Sequence, residues 1–168
     1  MSRDECTQKG IVKALAAAAK KAQVIDLVLM VHGEPDNLIL AGETTETIDV
    51  SAAALAHDLL ATPALKGKLR LCYSTACFGY SHAQALLGAG FTTVIGAKGV
   101  NANSATEMPT LLKHWTGGET IADALRRADD PVLRMISDAV ARRNFSDVNS
   151  QKVLLGSESL TIDSPARS

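Results

Sequence analysis

Three short apolar runs constrain this chain more than any other feature: VIDLVLMV at 24–31, LRLCYST at 69–75 and FTTVIGA at 91–97. Each is too short for a typical helix, rich in aliphatic residues, and closed by Gly, Pro or a polar cluster. Continuous hydrophobicity without alternation reads as strands buried on both faces, the signature of a parallel sheet. The segments between and after them favour helix. Residues 9–23 are rich in Ala and Lys. Ser51 is placed as an N-cap for AAALAHDLLA, with Pro63 and Gly67 closing that helix. AQALLGAG is a short helix stopped by Gly88 and Gly90, and EMPTLLKHW, IADALRRAD and PVLRMISDAVARR follow, the last opened by Pro131. HGEPD breaks the first run, NLILAG and TETIDV suggest a small hairpin over 37–50, and KVLLG with SLTI a late strand or hairpin. The expected fold class is α/β, a mostly parallel sheet flanked by helices on both faces.

Length and charge narrow the function classes. A chain of 168 residues predicts a single domain over 1–168 with one sizeable core. Aromatics are 4%, so the core is expected to be aliphatic. A net charge of −1 supplies no attraction to nucleic acid or anionic membrane. The pairs Arg126-Arg127 and Arg142-Arg143 read as solvated helix faces. The opening MSRDECTQKG is polar, unlike a secretory signal, and no apolar run approaches the roughly 20 residues of a membrane span. Three cysteines, Cys6, Cys72 and Cys77, are too few and odd in number for a disulfide framework, and no His or Cys cluster has zinc-ligand spacing. A reduced, cytoplasmic protein is expected, with no metal and no cofactor.

In α/β sheets ligands sit beyond the carboxyl ends of the strands. Directly after the first run stands His32-Gly33, and directly after the second Ala76-Cys77. On neighbouring strands, about 4.8 Å apart, the two side chains share one cleft. Cysteine attacks as thiolate, and an imidazole can take its proton. Gly33 lets backbone approach a substrate and offers an N–H to a developing oxyanion. The plain alternative is an inert buried thiol beside a turn histidine. A second alternative is a partial G-x-S-x-G elbow over Gly79–Ala83 with Ser81 as nucleophile. Its last glycine is absent and no Asp…His pair comes later on strand ends, so Ser81 reads as a helix N-cap. His57 and His82 lie on helical stretches and read as exposed or structural, and His114 sits on a Leu-flanked helix.

VLMVHGE followed about 40 residues later by LRLCYSTAC resembles the caspase-like (clan CD) cysteine peptidases, the group of caspases, separases, gingipains and clostripain. The continuation ALLGAGFTTVIGAKGVNANSATEMPTLLKHWTGGETIADALRRA and the late VLLGSESLTI are similar to the bacterial CHAT branch. The resemblance covers roughly 24–162 and implies a caspase-like three-layer sandwich and endopeptidase activity through a thioester acyl-enzyme. Carried over by position, it makes Cys77 the nucleophile, His32 its base, and the backbone N–H groups of Gly33 and Cys77 the oxyanion hole. Thr75 and the loop Lys98-Gly99-Val100-Asn101 would line the substrate side-chain pocket. The implied partner is a protein or peptide substrate.

The chain departs from the family's pattern at three places. Thr75 stands where relatives that cut after Arg or Lys often carry an acidic residue, so no basic preference is implied. Phe78 comes directly after the nucleophile, where Ser, Thr or His is usual. No strand precedes the His strand, so that sheet edge is expected open to an activating partner or a homodimer. The competing reading from another class is a catalytically inactive caspase-like module that binds and regulates. If the chain is cut or ordered on activation, the expected places are the loop after Cys77, residues 98–106 and the polar stretch 144–151, since long polar segments tend to be mobile.

Overall fold

The computed structural model describes residues 6–41 and 46–166. Residues 1–5, and 42–45 of the expected hairpin, lie outside the described residues. The main sheet has four strands: β1 (Ile25–Leu29), β5 (Leu69–Ser74), β6 (Thr93–Ala97) and β7 (Lys152–Gly156). Their order is β1-β5-β6-β7. The first three run parallel and β7 runs antiparallel to β6. A smaller antiparallel sheet, β2 (His32–Glu34), β3 (Asn37–Ala41) and β4 (Thr47–Ser51), fills the crossover between β1 and β5.

Six α-helices complete the described residues: α1 (Gln8–Ala19), α2 (Ala52–Leu60), α3 (Gly79–Gly88), α4 (Ser104–Thr116), α5 (Ile121–Ala128) and α6 (Pro131–Ala141). Two apolar clusters show how they layer. Ile11 and Leu15 of α1, Leu55 and Leu59 of α2, and Leu86 of α3 pack with Leu29, Cys72 and Val94 of the sheet. Leu111 and Trp115 of α4 and Ile121 of α5 pack with Leu71, Tyr73 and Ile95. The result is an α/β three-layer sandwich around a mostly parallel sheet. The N-caps are local and legible: Ser51 Oγ accepts the Ala54 N–H, and Pro131 opens α6 behind the Asp130 cap.

The strand expectations hold with three corrections. β5 and β6 are buried throughout. β1 is not, because it ends the sheet and has β5 as its one partner among the described residues. HGEPD does not simply break the first run: residues 32–34 form β2, and Pro35-Asp36 make the turn. At the other end only 152–156 is strand, and 158–162 is turn and coil. Register between β1 and β5 is fixed by an ion pair: Arg70 Nε and Nη2 donate to Asp26 Oδ1 and Oδ2 at 2.9 and 2.5 Å. The same guanidinium lies 5.3 Å from the Trp115 ring centre and donates to the Ser164 carbonyl at 2.9 Å, tying the C-terminal tail down. Among the described residues no helix is long and apolar enough to cross a membrane.

Candidate functional site

β1 and β5 are adjacent and parallel, with Leu29 opposite Ser74, so the two chains leave the sheet side by side at one carboxyl edge. Thr75 continues the pairing, its N–H donating to the Leu29 carbonyl at 2.9 Å. Beyond this point β1 leads into His32-Gly33 and β5 into Ala76-Cys77. The approach is close. A Cβ on Gly33 would stand 2.6 Å from the Cys77 carbonyl oxygen and 3.0 Å from Ala76 Cβ, so only glycine fits there.

The hairpin sets the direction of the Gly33 amide. Glu34 and Asn37 close a two-residue loop, which makes them the hydrogen-bonded pair. The next pair, Gly33 and Leu38, is then the non-bonded one, and the Gly33 N–H points away from β3. Asp36 takes φ 61° at the second turn position, and its N–H donates to Ser81 Oγ at 2.8 Å. His82 adds a second tie from α3 to β2, its Nε2 lying 2.9 Å from the Glu34 carbonyl. The ring is fully buried and its Nδ1 has no partner, so Nε2 carries the proton and donates. Burial holds its pKa below the ordinary imidazole value against the opposing pull of the Glu34 carbonyl and Asp36.

Cys77 is half-buried two residues ahead of α3. Phe78 behind it takes φ 54°, a left-handed conformation uncommon for a bulky residue, and its N–H donates to the Gly99 carbonyl at 2.8 Å. The start of α3 is pressed onto β6: a Cβ on Gly96 would stand 2.2 Å from the Gly79 carbonyl carbon. The Asn101 N–H lies 3.4 Å from Cys77 Sγ, and Asn101 Nδ2 donates to the Thr75 carbonyl at 2.8 Å. Cys72, by contrast, is sealed in the core, where burial pushes its thiol up to about 12.

Of the residues singled out in the sequence, the fold thus gathers Gly33, Thr75, Cys77, Gly99 and Asn101 at one rim. Lys98 and Val100 are engaged elsewhere. Lys98 Nζ donates to Gln151 Oε1 at 2.9 Å, and Val100 forms a bridge with Val148. His32 sits exposed at the same rim, and among the described residues no hydrogen bond joins its ring to Cys77. Residues 98–100 and 147–151 are not free loops: the amides of Lys98, Gly99 and Val100 donate to the carbonyls of Gln151, Asn149 and Asp147 at 2.9–3.0 Å. Ser81 is not a capping side chain, since Phe78 holds the N-cap position. Its hydroxyl donates to the Phe78 carbonyl and accepts from Asp36, which leaves it structural. His57 is exposed and His114 pairs with Glu119 at 2.8 Å.

Sequence reasoning missed the polar support under Asn101. Lys152 Nζ donates to Asn101 Oδ1 and to Glu107 Oε2, both at 3.1 Å, and Glu107 Oε1 accepts from the Tyr73 hydroxyl at 3.1 Å. The Lys152 and Glu107 side chains are wholly buried. Burial pulls Lys152 down and pushes Glu107 up, and each charge opposes the other's shift. The one available signal was a lysine at the head of the apolar run KVLLG. Among the described residues no group of His, Cys, Asp and Glu could hold a metal ion. No family model and no curated protein matches the chain.

Proposed function

We propose that the chain is a cysteine endopeptidase of caspase-like type, with Cys77 as nucleophile and His32 as its base. The observation that carries the reading is the packing of Gly33 against the Cys77 carbonyl, which brings the main chain next to His32 up against the main chain of Cys77. The outward amide of Gly33 and the left-handed turn after Cys77 support it as well.

In this reaction the Cys77 thiolate attacks the substrate carbonyl carbon, and the π electrons move onto oxygen. The Gly33 and Cys77 N–H groups receive that oxyanion. The C–N bond breaks as the His32 imidazolium gives its proton to the departing amine, leaving a thioester on Cys77. Water then attacks the thioester, His32 takes its proton, and the carboxylic acid leaves with the thiol restored. The reading requires the His32 imidazole to reach Cys77 Sγ when substrate is bound, since among the described residues no hydrogen bond joins them. Asn101, whose N–H lies 3.4 Å from Sγ, and Thr75, whose carbonyl Asn101 bonds, bring no negative charge for a basic side chain.

Thiol labelling tests the assignment. A peptidyl acyloxymethyl ketone pool is expected to modify Cys77 selectively, ahead of Cys6 and Cys72, and His32→Ala to remove that selectivity. Equal, slow modification of Cys6 and Cys77 in the unaltered protein points instead to an inactive binding module.

A further inference from the structure

The first turn of α3 grips the β2–β3 hairpin at three points. Ser81 Oγ accepts the Asp36 N–H at 2.8 Å. His82 Nε2 donates to the Glu34 carbonyl at 2.9 Å. The edge of the same imidazole backs onto Gly33: a Cβ there would stand 3.1 Å from His82 Cε1 and 2.6 Å from the Cys77 carbonyl oxygen. One side of Gly33 therefore meets both the His82 ring and the main chain of Cys77, and Cys77 leads directly into α3. The helix clasps both halves of the candidate site.

This clasp holds only a neutral ring. The His82 side chain is fully buried and its Nδ1 has no hydrogen-bond partner. A proton on Nδ1 would bury a cation with one donor unmade. It would do so in the first turn of a helix, where the aligned amides disfavour positive charge. Three groups of the hairpin pull the other way: the Glu34 carbonyl, the Asn37 main chain and the Asp36 carboxylate. α2, β6 and β7 also pack on α3, and they bring Leu55, Val94 and Leu155 to the shared apolar cluster. Among the described residues Asp36 is the one charged side chain that acts on the ring, and burial outweighs it.

We propose that His82 is a positioning residue for the oxyanion amide: its neutral ring holds Gly33 against Cys77, and a solvent proton on Nδ1 frees the hairpin and takes the Gly33 N–H out of the site. The charged ring regains water by leaving its cavity, and the bond to Glu34 goes with it. The clasp stands on geometry alone, whereas the use of the amide rests on the peptidase reading.

Two measurements on the full chain keep the clasp and the chemistry apart. The first follows nitrogen–proton correlation spectra from about pH 7.5 to about pH 4.5 in His32→Gln, so that no neighbouring imidazole titrates beside Gly33. The Gly33 and Asp36 amides are expected to move with the His82 ring signal at one midpoint below 6.5, while the amides of α5 stay still. A ring that titrates without moving Gly33, a ring that stays neutral throughout, or loss of all signals at once overturns the proposal.

The second compares two reactions of Cys77 with His32 intact. Acylation by a peptide methyl ester builds an oxyanion. Alkylation by iodoacetamide displaces iodide at a saturated carbon and builds none. Both use the same thiolate, so their rate ratio reads the oxyanion amide. The ratio is expected to fall at least ~10-fold between about pH 7.5 and about pH 5 in the unaltered protein. It is expected to stay level in His82→Gln, whose side-chain amide can donate to Glu34 at either pH. A level ratio in the unaltered protein, or an equal fall in His82→Gln, overturns the proposal. Absence of any acylation refutes the peptidase reading instead, and the amide titration, which needs no change at position 82, then decides the clasp by itself.

Discussion

The backbone of Gly33 and the carbonyl of Cys77 are in contact, with room for a hydrogen and none for a methyl group: a Cβ at Gly33 would stand 2.6 Å from that oxygen. The obstacle is main chain, so no rotamer change relieves it. Gly33→Ala is expected to cost about 1–3 kcal/mol through forced backbone displacement, and to move His32 away from Cys77. Urea unfolding reads the first effect. The rate of Cys77 labelling reads the second and is expected to fall more than tenfold, while Cys6 labels as before.

Gly96 makes a similar demand one layer deeper, against Gly79 at the head of α3. Gly96→Ala has to push the helix after Cys77 off the sheet. It is expected to be at least as destabilising as Gly33→Ala, about 2–3 kcal/mol, with the change confined to α3 and its neighbours in hydrogen exchange.

The buried Lys152–Glu107 pair holds Asn101 in place from below. Lys152→Met strands the Glu107 charge in the core and is expected to cost about 3–5 kcal/mol. The double change Lys152→Met/Glu107→Leu is expected to cost clearly less than the sum of the two single changes. Denaturant unfolding of the four proteins gives that coupling directly. Labelling of Cys77 is expected to slow in both proteins with Met at position 152, because Asn101 Oδ1 loses its donor in each.

His82 gives the fold a pH dependence of definite sign. Its folded pKa is held below the ordinary 6.5 by burial, so the unfolded chain takes up a proton that the folded chain refuses. The contribution of the neutral ring is complete above about pH 6.5 and is lost as pH falls below it toward the folded pKa. Unfolding free energies at pH 7.5 and 5.0 are expected to show a larger loss in the unaltered protein than in His82→Gln. The difference between the two proteins is thus expected to shrink on acidification.

The parts of the molecule legible in the sequence are those where the physics is local. β5 and β6 were legible because strands buried on both faces need mostly apolar residues, and TVIGA and, with Arg70 as the exception, LRLCYST supply them. The caps at Ser51 and Pro131 were legible because they depend on one or two side chains. β1 reads like β5 in sequence yet lies at the sheet's edge, since strand order is decided by packing. β2 was hidden in HGEPD because a three-residue strand has no period to detect. At the site, Cys77 and Gly33 were identified by position after apolar runs. Their contact was invisible, as were the Lys152–Glu107–Asn101 bracket and the His82 tie. Each of these joins residues more than 40 positions apart or depends on a backbone path that composition does not encode.

The claim that Cys77 forms an acyl-enzyme with help from His32 is tested most directly by trapping that intermediate. The protein is mixed with a pool of peptide methyl esters, quenched in acid within seconds, and digested for mass analysis. The account predicts a peptidyl adduct on the fragment holding Cys77, released by hydroxylamine, absent in Cys77→Ser and strongly reduced in His32→Ala. An unmodified Cys77 in the unaltered protein, or an adduct whose yield ignores the loss of His32, would contradict it.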